Sequence, residues 1–96
     1  MLYAIICKDK PDSLQLRLDT RPTHLAYIES LGDAVKLGGP FLGEDQNPFG
    51  TLLIVEAESL EKAQEIADND PYVAAGLFAS REVTAWNWVL KKSADA

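Results

Sequence analysis

The chain is poor in the residues that most often carry chemistry. Its 96 residues include one cysteine and one histidine. An intrachain disulfide is therefore excluded, and a metal centre would have to rely on carboxylates at no recognisable spacing. No Gly-rich phosphate cradle is present, because "GGP" at Gly38 to Pro40 is not a GxGxxG and leads away from a helix. Positive charge is sparse: nine bases stand against fifteen acids, a net charge of -6, and the adjacent pair Lys91-Lys92 lies at the C-terminal end. A phosphate-binding surface needs clustered Lys and Arg, so nucleic acid is not expected as a partner. The longest apolar run, "LYAIIC" from Leu2 to Cys7, has six residues, against about 20 for a membrane span. No secretory signal is recognisable. These absences predict a cytoplasmic protein without metal or cofactor.

What is present reads as a single domain over residues 1–90, with "KKSADA" (91–96) as a flexible tail. "LYAIIC" is a strand, and a helix starts at Leu14 after the polar "KDKPDS" turn. Pro22 suits the first turn of a helix, with Thr20 as its cap. A break is therefore expected near Thr20, with a second helical segment running to Leu31 and ending at Gly32. "AVKLGG" (Ala34 to Gly39) reads as a strand running into Pro40, "GEDQNPFG" as a turn-rich loop, and "TLLIVEA" (Thr51 to Ala57) as the clearest strand. Ser59 caps a helix with the apolar stripe Leu60, Ala63, Ile66 and Ala67, ended by Asp70-Pro71. A further turn over Tyr72 to Gly76 and a last strand, Arg81 to Val89, complete the chain.

The order β-α-β-β-α-β is the split βαβ arrangement of ferredoxin-like α+β folds, a four-stranded antiparallel sheet with its helices on one face. The strands Leu2 to Cys7 and Leu52 to Val55 are apolar at consecutive positions, whereas a strand with one wet face should alternate. The face opposite the helices is therefore expected to be covered, and a second subunit is the available cover. A homodimer is the expected assembly.

The lone histidine lies in "TRPTHLAYIESL" and shares a helical face with Ile28 and Leu31, with Arg21 three residues before it. Two readings fit. His24 is a core-edge residue bonded to a backbone carbonyl, or it is a general base at the rim of a cavity, since imidazole titrates near neutral pH. A base needs an orienting carboxylate, and Asp70, where the second helix ends, is the candidate. Asp-Pro at a helix terminus is equally ordinary turn chemistry. Cys7 reads as a buried small apolar residue. Trp86, Trp88, Tyr72 and Phe78 fit either packing or a pocket wall.

Taken together, "MLYAIICKDKPDSLQLR", "RPTHLA", "GGP" and "DPYVAAG" resemble the YciI-like (YCII-related) family from Met1 to about Val89. The resemblance implies a ferredoxin-like domain forming a dimeric α/β barrel, with architecture akin to muconolactone isomerase. It implies a His24–Asp70 dyad in a pocket, with Arg21, Gly39 and Pro40 at the family's arginine and "GP" positions. Tyr72, two residues after Asp70, is a further expected substrate contact. The implied activity is proton abstraction from a small molecule, as in an elimination (lyase, dehydrochlorinase) or an isomerisation. A non-catalytic ligand-binding or accessory domain is the rival. One departure stands out: "FLGEDQNP" is shorter than the corresponding loop of relatives, and it would alter substrate choice if it lids the pocket.

Overall fold

The computed structural model describes residues 1–91; the expected tail lies outside the described residues from position 92 onward. Eight elements follow in order: β1 (Leu2–Asp9), α1 (Leu14–Ser30), a 3-10 turn (Gly32–Ala34), β2 (Val35–Leu42), β3 (Pro48–Glu56), α2 (Leu60–Asp68), α3 (Pro71–Ala74) and β4 (Phe78–Trp86). The strands form one sheet in the order β2-β3-β1-β4, antiparallel throughout. This is the ferredoxin-like architecture that the pattern of runs and caps implied. No described helix is long and apolar enough to cross a membrane.

Local chemistry explains the boundaries. The Ser59 hydroxyl accepts from the Lys62 N–H at 3.1 Å and starts α2. The Asp70 carboxylate accepts from the Tyr72 N–H at 2.9 Å and starts α3, with Pro71 at its first position, where a missing N–H costs nothing. Gly76, at φ +77°, reverses the chain, and the Leu77 N–H returns to the Tyr72 carbonyl. That turn lets β4 begin at once, three residues before the expected Arg81 start, and it pairs with β1 from Leu2–Trp86 to Asp9–Phe78.

Two other expectations are corrected. The break near Thr20 is absent, and α1 is continuous from Leu14 to Ser30 with Pro22 inside it. Proline there removes one N–H, whose acceptor would have been the Leu18 carbonyl; both residues are exposed, so water can serve that carbonyl. Strand β2 likewise passes through Pro40 to Leu42. It tolerates proline because it is an edge strand, with no neighbour on one side to require the missing donor.

The sheet buries one face against the helices. Tyr3, Ile5, Cys7, Leu53 and Val55 form a core with Ala63 and Ala67 of α2, and with Tyr72, Leu77 and Phe78. Residues directly opposite in an antiparallel pair share a face. Ala4–Ile54, Ile6–Leu52 and Leu2–Trp86 therefore lie on the outward face, whose β1–β3 centre is apolar as the non-alternating strands implied, with Glu82 and Thr84 of β4 and Glu56 of β3 beside it. Helix α1 contributes to the interior differently. Its two buried residues are Arg17 and His24, while Leu16, Leu18 and Leu25 are exposed. It stands as one wall of a cavity, and the polar residues on its inner face border that space.

Candidate active site

The cavity between α1 and the β2–β3 edge of the sheet has a volume of about 490 Å³. Arg17, Arg21 and His24 line it from α1, Gly39 and Pro40 from β2, Thr51 from β3 and Tyr72 from α3. No aspartate or glutamate is among the lining residues. The loop after Pro40 is a tight hairpin turn closed by Gly43–Asn47 and Gln46–Gly43 backbone bonds. Gly43, Glu44, Asp45 and Asn47 border a separate cleft with the β1–α1 connection, and of the loop "FLGEDQNP" only Pro48 lines the His24 cavity.

At the inner end, His24 Nδ1 stands 2.9 Å from both carboxylate oxygens of Asp70. Both side chains are more than nine-tenths buried. The carboxylate accepts the Nδ1 proton, which leaves the lone pair of the neutral ring on Nε2, an atom with no protein partner among the described residues. Asp70 is itself oriented by the Tyr72 N–H. The helix cap therefore also aims the carboxylate. The Tyr72 ring stacks on the imidazole at 4.2 Å and 21°, and meets Phe78 edge-on at 5.6 Å. Asp70 lies behind His24 and does not line the cavity.

A second network abuts the first. Arg17 is 5% exposed. Its Nε donates to Asp9 Oδ2 at 2.8 Å, its Nη1 to the Tyr72 hydroxyl at 3.4 Å, and its Nη2 to the Thr51 hydroxyl. The guanidinium also lies 4.8 Å from the Tyr72 ring centre. Each hydroxyl accepts from the guanidinium and so keeps its own proton to donate elsewhere. Burial pushes the Tyr72 phenol above its ordinary pKa, outweighing the nearby Arg17 charge, and keeps it a donor at neutral pH. Burial likewise pushes the Cys7 thiol up to about 12, so this residue is packing rather than nucleophile.

Arg21, Gly39, Pro40 and Tyr72 all border the cavity with His24, although Arg21 is exposed at its mouth. Trp86 and Trp88 pack on each other at 5.9 Å and do not line it. Asp9 and Arg17 escaped the reading of the sequence as site residues, and Thr51 entered it without a role. A usable signal existed: Arg17, Arg21, His24 and Ile28 follow the i, i+4, i+7, i+11 spacing of one helical face. Thr51 carried no such mark, since only the Cys7–Thr51 pairing carries it inward beside Arg17. Among the described residues no group of three His, Cys, Asp or Glu is close enough to hold a metal.

Comparison with known proteins supplies the family. The model of the YCII-related domain matches residues 1–87. Protein YciI of Escherichia coli O6:H1 is 48% identical over 86 residues, covering 81% of this chain and 88% of its own. The 5-chloro-2-hydroxyhydroquinone dehydrochlorinase TftG of Burkholderia phenoliruptrix AC1100, solved with 2,5-dihydroxybenzoquinone, is 43% identical. It superposes with a TM-score of 0.84 over 91% of this chain and 94% of its own. An antibiotic biosynthesis monooxygenase of 12% identity shares the fold alone, with a TM-score of 0.57 over 93% of this chain and 99% of its own. By its sequence and its fold, the chain belongs to the YCII-related domain family.

Proposed function

We propose that this protein is a small-molecule enzyme of the lyase or isomerase type, in which His24 removes a proton from a hydroxylated six-membered ring. The observation that carries the reading is the His24–Asp70 pair at the inner end of the cavity, with Nε2 free to accept. The Nδ1–carboxylate bond orients the ring and stabilises the imidazolium once the proton arrives. The electron pair released by the substrate moves onto a ring oxygen. There the Thr51 hydroxyl, which accepts from Arg17, donates to it. His24 returns that proton to the chlorine-bearing carbon as the oxyanion collapses to a ketone. Removal of a second hydroxyl proton by His24 then expels chloride from the now saturated carbon, for a net loss of HCl; without a leaving group, the returned proton completes an isomerisation. Likeness to TftG favours the elimination.

The assembly in this reading is a homodimer that covers the outward sheet face, where Ile6, Leu52 and Ile54 are apolar. Sedimentation at twice the monomer mass, reduced to the monomer by Ile6→Asp, is the expected result, and a monomeric parent overturns it. The compartment is the cytoplasm, consistent with a free buried thiol at Cys7; recovery in a secreted or membrane fraction would contradict this.

The catalytic test is chloride release from 5-chloro-2-hydroxyhydroquinone by the parent, His24→Gln and Asp70→Asn. Release is expected from the parent alone, with both variants retaining the parent circular dichroism. Undiminished release by His24→Gln, or no chloride release by a parent that binds 2,5-dihydroxybenzoquinone, overturns the proposal.

A further inference from the structure

The cavity's charge is opposite to that of the protein. A chain with fifteen acids and nine bases places Arg17, Arg21 and Lys36 around one cavity and no carboxylate among its lining residues. The three cations are not equivalent. Arg17 is buried and neutralised by Asp9. Arg21 and Lys36 are exposed, on facing walls formed by α1 and β2, and neither has an ion-pair partner among the described residues. Between them the mouth is apolar: Leu18, Leu25 and Leu37 line it while remaining 47%, 44% and 39% exposed. Two uncompensated cations set among exposed leucines make a surface that favours an anion attached to an apolar body. Along α1, Arg21 precedes His24 by three residues, a rise of about 4.5 Å, comparable to the width of one six-membered ring.

We propose that Arg21 and Lys36 select a substrate bearing an anionic substituent, such as a carboxylate, on the edge of the ring opposite the one presented to His24. This inference rests on the proposed use of the cavity and deepens it: among hydroxylated rings that the site accepts, one bearing an acid group is preferred over its neutral counterpart. The two cations are specificity determinants at the mouth. The oxyanion formed during reaction belongs to the separate Arg17 network deeper in the cavity.

A matched pair of ligands tests this. Calorimetry with 2,5-dihydroxybenzoate and with hydroquinone compares the same ring and hydroxyl pattern with and without a carboxylate. The carboxylate is expected to tighten binding about tenfold in low salt, with most of the gain lost at high ionic strength through screening. The Arg21→Gln/Lys36→Gln double variant, at two exposed positions, is expected to bind the acid no better than the parent binds hydroquinone. Equal affinities, no saturable binding of either ring, or a preference that survives the double variant overturns the inference. Neither ligand carries a leaving group, so the outcome is independent of chloride release. Failed turnover with an intact carboxylate preference would sink the catalytic reading alone, and normal turnover with equal affinities would sink the anion reading alone.

Discussion

The Asp9–Arg17 pair is expected to be costly to break and dispensable for folding once both partners are gone. Both side chains are at least 94% buried, and Asp9 Oδ1 is a buried oxygen with no hydrogen-bond partner among the described residues. Asp9→Ala strands the guanidinium without its countercharge. Removing one partner of a buried pair typically costs about 3–5 kcal/mol, a large part of the 5–15 kcal/mol that stabilises most domains. For a domain of this size each kcal/mol shifts the melting temperature by roughly 4–8 °C, so Asp9→Ala should melt more than about 10 °C below the parent. The double variant Asp9→Leu/Arg17→Met removes both charges and fills similar volume, and such replacements are often neutral or stabilising. It should recover most of the lost melting temperature. Chloride release should stay lost in it, because the Thr51 hydroxyl no longer has Arg17 to engage its lone pair. Thermal melts at one protein concentration, with chloride assays on the same samples, read both quantities. The reasoning is refuted if Asp9→Ala melts within about 3 °C of the parent, or if the double variant regains parent turnover.

Tyr72→Phe keeps the stack on His24 and the edge contact with Phe78 while removing an acceptor that holds Arg17 beside Thr51. Its kcat should fall several-fold, through the looser placing of Arg17 and Thr51, and an unaltered kcat would show that the phenol plays no part in positioning them. Cys7, with its thiol pushed up to about 12 by burial, should resist thiol reagents at pH 8 in the native protein and react on unfolding; equal rates in both states would contradict the buried assignment. The same shift has a stability consequence. Above the ordinary thiol value the unfolded chain releases a proton that the folded one holds, so stability falls as pH rises from 9 toward about 12. Urea midpoints should decline over that window, less steeply in Cys7→Ala, with the raised phenols of Tyr27 and Tyr72 acting in the same direction.

The order of elements was readable because its signals are local. Ser59 reaches the N–H three residues on, Asp70 the N–H two residues on, and strands announce themselves in runs of six or seven residues. The Pro22 reading failed for a related reason: a proline's preference for the first turn is local, while a continuous helix was permitted by the exposure of that face, which depends on what packs elsewhere. Proline in β2 was tolerated only because the sheet order put that strand at an edge.

The candidate site divides in the same way. One helical face carrying Arg17, Arg21 and His24 is a property of spacing, present in the sequence before any fold is known. That His24 meets Asp70, 46 residues away, was a guess until α3 was placed beside α1. That Arg17 joins Asp9, Thr51 and Tyr72 follows from the pairing of β3 with β1 and from the turn that seats α3. Helix and strand periodicity sets which way a side chain points relative to its own element. What it meets there is set by sheet register and by the packing of elements remote in sequence, and these are decided only when the whole core is assembled.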